Sequence, residues 1–184
     1  MTKEQMVQTM ANAAGITKKQ AATALDAFCT AVGEAMRNGD KLTITACPKG
    51  GGSENMSALG MLTPSQGREG IKKFIVDTIS KAGSNPCPPV IVGCAAGGTN
   101  EEVTLLAKKA LCRTVGEPNP DPEVASLEQE IQEEINKLGI GAQGFGGTKT
   151  ALAVHMLTHP VHLASLPVAV NVQCHVARHK TVVL

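Results

Sequence analysis

The stretch Asn85-Pro86-Cys87-Pro88-Pro89-Val90-Ile91-Val92-Gly93 constrains this chain more than any other. Each proline fixes φ and lacks a backbone donor, so Cys87 is held on a rigid, non-helical turn. The run Val90 to Val92 reads as a buried strand. Gly97-Gly98 then makes a turn, and Thr99-Asn100-Glu101-Glu102 is a capping box that starts a helix. A cysteine fixed at the mouth of a strand–turn–helix unit suits a metal or a substrate. It equally suits a core thiol, because free cysteine is among the most buried residue types.

The chain before this stretch begins with a helical hairpin over residues 2–38. Thr2 with Gln5 and Thr17 with Gln20 are capping boxes, and Gly15 separates the helices. Met6, Val7, Met10 and Ala14 form the apolar stripe of the first helix; Ala21, Ala24, Leu25, Phe28, Val32 and Met36 form that of the second. Lys18, Lys19 and Arg37 read more simply as a solvated face than as a DNA-binding one. Asn38-Gly39-Asp40 stops the helix and residues 41–46 alternate as a strand. Residues 47–55 are glycine-rich and expected to be irregular, as are residues 56–64. The glycines at 50 to 52 lack nucleotide-loop spacing. They form either an ordinary surface loop or a place where backbone amides approach an anion.

Further along, residues 67–82 are an amphipathic helix closed by Gly83. The capping box at Thr99 opens a helix to about Arg113. Asp121 before Pro122 opens another, with Val124, Leu127, Ile131 and Ile135 as its buried stripe and Gly139 at its end. Residues 139–148 form a second glycine-rich loop. Strands are expected over residues 151–157 and 168–172, the latter running into Gln173-Cys174-His175. Five histidines crowd the last thirty residues, at 155, 159, 162, 175 and 179. Singly, each is most simply a surface or hydrogen-bonded side chain. The fold class is α+β: an N-terminal helical hairpin over residues 1–45, then a mixed α/β domain of helices packed on short strands over residues 46–184.

At 184 residues the chain is long enough to bury a real core. Its net charge of +1 creates no field for nucleic acid or membrane. With Phe28, Phe74 and Phe145 as its only aromatics, it lacks a base-stacking platform. The six cysteines, at 29, 47, 87, 94, 112 and 174, show no zinc-ribbon or thioredoxin spacing. The polar N-terminus, and apolar runs far short of about 18 residues, point to a cytoplasmic protein without membrane insertion. There the cysteines would be thiols or metal ligands.

Two resemblances cover different parts of the chain. Residues 1–45 resemble the first half of HU-type bacterial DNA-binding proteins, through Ala13-Ala14-Gly15-Ile16-Thr17-Lys18-Lys19, Ala24-Leu25-Asp26-Ala27 and Asn38-Gly39-Asp40-Lys41-Leu42. The long basic β-arms by which that family grips the minor groove are missing from this sequence. From about Gly39 to Leu184 the chain resembles the α part of the iron–sulfur class I fumarate hydratases and related tartrate dehydratases. The carriers are Pro48-Lys49-Gly50-Gly51-Gly52-Ser53-Glu54-Asn55-Met56-Ser57, Asn85-Pro86-Cys87-Pro88-Pro89, Gly97-Gly98-Thr99, Leu138-Gly139-Ile140-Gly141-Ala142-Gln143-Gly144 and Leu166-Pro167-Val168-Ala169-Val170-Asn171-Val172-Gln173-Cys174. Segment 39–45 fits both families, which makes it the expected seam of a fusion.

The second resemblance implies a hydro-lyase that adds or removes water beside a carboxylate. In the family three cysteines hold a 4Fe-4S cluster that acts as a Lewis acid. Cys87 and Cys174 match two of the three cluster cysteines. His162 matches a histidine that contacts substrate, and Gly51 and Gly52 match a loop presenting amides to a substrate carboxylate. The third cysteine and its acidic neighbour, in a C-Q-D-T-G motif, have no counterpart. Nothing in the spacing of Cys47, Cys94 or Cys112 marks one as a replacement. The implied partners are a small dicarboxylate, a β subunit or domain of the same hydro-lyase, and further copies in a homo-oligomer. This reading makes the chain an α-type catalytic fragment, incomplete and inactive alone. The alternative is a non-catalytic chimera whose HU-like hairpin dimerises or binds DNA weakly.

Overall fold

The computed structural model describes residues 2–39 and 41–183, with the side chains of residues 35 and 36 outside that description. It comprises two compact units, Met1–Ala46 with Lys180–Leu184, and Cys47–His179. The architecture is α+β. Among the described residues, no helix is long and apolar enough to cross a membrane.

In the first unit, α1 (Lys3–Ala14) begins on Thr2 and ends on left-handed Gly15, and both sides of its capping box are formed. α2 (Lys18–Arg37) begins at the second box, where the Gln20 backbone N–H donates to Thr17 Oγ1 and the Thr17 N–H to Gln20 Oε1. Their shared core is Val7, Ala11 and Ala21, with Met10, Ala22 and Leu25 against it. The stripe expected on α2 is buried only in its first half. Phe28 is 61% exposed, and Met36 lies outside the described side chains. The 12 residues of α1 cover about 18 Å, whereas the 20 of α2 run about 30 Å, so the last turns of α2 outrun α1. β1 (Thr43–Ala46) pairs antiparallel with a last strand, β6 (Lys180–Val183), that the sequence reading did not anticipate.

The second unit is built on a four-stranded sheet, in the order β2 (Ala58–Leu62), β5 (Leu166–Gln173), β3 (Val90–Ala96), β4 (Ala151–Thr158). β3 and β4 are parallel; β5 is antiparallel to both β3 and β2. All seven residues of β3 are buried, as its central place demands. α4 (Gly67–Ala82) and α6 (Pro122–Lys137) pack on one face through Ile75, Ile79, Ile131 and Ile135, against Val92, Cys94, Val170 and Val172. Each such buried side chain contributes about 1.5–3 kcal/mol. The other face carries α5 (Asn100–Ala110), capped by Thr99. A Cβ on Gly93 would sit 2.3 Å from the Ala107 carbonyl oxygen, so α5 lies directly on the β3 backbone.

Two segments expected to be irregular are regular. Residues Gly51–Glu54 wind into a short helix, α3, braced by Ser53 Oγ donating to Gly50 O at 2.9 Å. Residues 58–62 form β2, because β5 offers them a partner more than a hundred residues away.

The outer edge of β4 is closed by side chains of α6. Glu128 accepts the Met156 N–H at 2.6 Å, and Gln132 donates to Leu152 O at 2.9 Å. Asn136 accepts from the N–H groups of Thr150 and Ala151 at 2.8 and 2.9 Å. These three stand four residues apart on one helix face. Glu128 also pairs with Arg113 at 2.6 Å and accepts from Asn119 at 2.8 Å, so its buried charge is matched.

Candidate functional site

Strand direction decides where the candidate residues meet. Because β5 runs antiparallel to β3, Gln173 pairs with Ile91. The turn before β3 and the residues after β5 therefore share one end of the sheet, bringing the segments of Cys87 and Cys174 together. The His175 backbone N–H lies 3.4 Å from Cys87 O, and its ring Nδ1 lies 3.0 Å from the same oxygen. The Gln143 side-chain amide nitrogen lies 3.2 Å from the same Nδ1, so the imidazole is held between a carbonyl and an amide. Cys87 is exposed and Cys174 half-buried. Cys87 is thus a presented thiol, and the core-thiol role falls to Cys94, whose fully buried Sγ donates to His155 O at 3.4 Å. Burial pushes the Cys94 thiol pKa far up.

Cys87 has φ 55°, and Gln143 also has φ 55°; these are the two non-glycine residues with positive φ among those described. They adjoin one another. The Gln143 backbone N–H donates to Pro88 O at 2.8 Å and its side-chain amide to the same oxygen at 3.3 Å. Each left-handed non-glycine costs about 1–2 kcal/mol, and such strain concentrates at functional sites. Gln143 had not been singled out from the sequence. A glutamine between Ala142 and Gly144 carries no local mark of a left-handed backbone.

The glycine run joins the same end. Gln173 donates its side-chain amide to Pro48 O at 2.8 Å, and a Cβ on Gly52 would lie 3.3 Å from Asn85 O. Gly51 and Gly52 open α3, where first-turn amides have no acceptor within the helix. A cavity of about 530 Å³ lies elsewhere; the one here is about 310 Å³, lined by Pro48, Lys49, Gly50, Cys174, Val176 and Arg178. Lys49 pairs with Glu54 at 2.8 Å, and Lys108 holds the other Glu54 oxygen at 2.6 Å. Hydrogen bonds from Lys108 and Lys49 hold the Glu54 carboxyl down to about 2. Burial lowers the Lys49 pKa, against the pull of Glu54, and Cys174 lies within its electrostatic reach. Arg178 and the Glu54-paired Lys49 thus stand beside the Cys174 sulfur. Lys49 and Arg178 were visible as residues but not as partners.

His162 is not part of this end. Its Nδ1 accepts the Ala164 N–H at 3.2 Å. It lines the 530 Å³ cavity with Ala96, Thr158, Leu163 and Leu166, beyond the opposite ends of β3 and β4. The seven residues of β3 separate the two ends by about 20 Å. His162, matched to a substrate-contacting histidine, is thus not beside Cys87 and Cys174 within a single chain: β5 enters the sheet beside His162 and leaves it beside Cys174.

The chain's donors were tested against a three-cysteine cluster. Among the described residues, no three His, Cys, Asp or Glu side chains gather as a metal site. Cys47 and Cys112 lie beside each other, and burial first, then the Cys47 thiol, raises the Cys112 pKa. Two thiols at the candidate site do not fit the full ligand set, which needs a third donor from outside the described residues.

The family description "Fumarate hydratase (Fumerase)" matches residues 2–183. The chain belongs to the fumarate hydratase family. The match runs through the helical hairpin, and no finding supports an HU-type fusion. A Methanocaldococcus jannaschii protein, provisionally named L(+)-tartrate dehydratase subunit alpha, is 55% identical over 134 residues, covering 73% of this chain and 47% of that protein. The L(+)-tartrate dehydratase subunit alpha of Escherichia coli O157:H7 is 35% identical over 147 residues, covering 80% of this chain and 48% of that protein. That of Escherichia coli K12 is 35% identical over 145 residues, covering 79% and 48%. The chain spans about half the length of the curated relatives it matches.

Proposed function

We propose that this chain is the sulfur-bearing portion of an α-type hydro-lyase subunit acting on a small dicarboxylate, fumarate or tartrate, and that it is inactive alone. The supporting observation is the antiparallel register of β3 and β5, which sets Cys87 and Cys174 at one end of the sheet beside Lys49 and Arg178. In this reading Cys87 and Cys174 are two ligands of an iron–sulfur centre completed by a donor from elsewhere. Lys49, Arg178 and the amides of Gly51 and Gly52 hold a substrate carboxylate. His175, held through Nδ1 by Cys87 O and the Gln143 amide, places its imidazole at the same end. A β subunit and the remainder of the α subunit are the expected partners. The hairpin has no part in the chemistry. The strand that follows it, β1, is four residues long, which leaves the DNA-binding alternative without the arms it needs.

The test is iron and sulfide content after anaerobic reconstitution. Substoichiometric iron is expected, falling at least tenfold in Cys87→Ala and in Cys174→Ala but unchanged in Cys29→Ala. If neither site replacement lowers the bound iron, the ligand assignment is wrong.

A further inference from the structure

The two faces of the sheet are unequally covered. α4 and α6 together close one face, while α5 alone, 11 residues long, lies on the other. On that thinner side β2 has no helix over its outer half. Leu59 is 45% exposed and Met61, two residues on and thus on the same face, is 60% exposed. Leu105 of α5 faces them across a groove and is 69% exposed. The groove, about 440 Å³, is closed at one side by the Lys108–Glu54 ion pair, and its lining includes Ser57, Thr104 and Asn171. Asn171 is 7% exposed. Its Nδ2 donates to Ser57 Oγ at 3.0 Å, while its buried Oδ1 has no partner. An orphaned acceptor costs about 1–3 kcal/mol. Exposed apolar side chains beside an unpaired buried acceptor mark a candidate contact surface.

We propose that this groove seats a segment of the polypeptide that the tartrate dehydratase α subunits possess outside the match, placing an apolar side chain between Leu59 and Leu105 and a donor on Asn171 Oδ1. Length selects this occupant. The match covers 47% and 48% of two such subunits, so an equal length of chain lies outside it in each. The site is distinct from the sulfur end, and its polar floor asks for a peptide donor rather than a carboxylate.

The inference rests on the α-subunit reading and is tested by coexpression. The probe is the part of the Methanocaldococcus jannaschii relative outside the match, produced with this full chain carrying a tag. Equimolar copurification is expected, reduced at least tenfold by Leu105→Glu and by Leu59→Glu. Phe28→Glu, an exposed position in the hairpin, leaves it unchanged. Leu105→Ser serves if the added charge disturbs α5. Absence of copurification, or copurification insensitive to the groove variants, overturns the proposal. So does a self-associated chain in sedimentation that Leu105→Glu converts to monomer, since a second copy is then the occupant. Iron retention through Cys87 and Cys174 is read separately. If that dependence holds while the groove variants bind normally, the groove fails and the α-subunit reading survives.

Discussion

The two ends of the central sheet turn the chain in opposite ways. At the Cys87 end, left-handed backbone is imposed on a cysteine and a glutamine. At the His162 end, the turn after β3 uses Gly97 and Gly98, with φ 97° and 73°. A Cβ on Gly97 would lie 1.8 Å from the His159 carbonyl oxygen, so a side chain has no room there. The first end keeps two strained side-chain-bearing residues among left-handed glycines such as Gly141 and Gly144, with φ 67° and 82°; the turn after β3 uses glycine alone. The larger cavity lies at the His162 end and the two sulfurs at the other.

Substitutions that exchange these habits test the contrast. The largest effect is expected from Gly97→Ala, which adds left-handed strain to a backbone clash and should lower the unfolding free energy in urea by at least about 2 kcal/mol. Cys87→Gly should do the reverse, raising stability by about 0.5–1 kcal/mol while removing a sulfur. A loss of stability in Cys87→Gly would show that the turn is not strained. His162→Ala should leave iron retention within twofold of the parent, whereas the same loss as in Cys174→Ala would break the separation of the ends.

The smallest effect is one of pH. Glu54 has a folded pKa of about 2 against an ordinary 4.5. A depressed carboxyl stabilises above its unfolded pKa and loses that contribution as pH falls through the folded one. The urea midpoint should therefore fall between pH 4.5 and pH 2, and Glu54→Gln should flatten that fall. Because Glu54 is partly exposed, the change is expected to be modest.

What the sequence made legible was local. Caps at Thr2, Thr17, Thr99 and Asp121 are each settled within a few residues, and all four form. What it hid was partnership over distance. Ala58-Leu59-Gly60-Met61-Leu62 has neither β-branched residues nor alternation, and becomes a strand only through β5. The α2 stripe is genuine in pattern, but nothing in α2 states that Phe28 stays 61% exposed. At the site, prolines around Cys87 marked a rigid turn, and the resemblance supplied Cys174. The distance of His162 from both follows from the direction of β5, which no motif records. Lys49 and Arg178 line one cavity only because the chain folds back upon itself.

The row formed by Glu128, Gln132 and Asn136 carries a consequence for growth. It occupies the hydrogen-bonding groups along the rim of β4 as another strand would, so that rim offers no template for stray chains to stack upon. Any lengthening of this sheet, whether in a working assembly or in a precipitate, must start from β2.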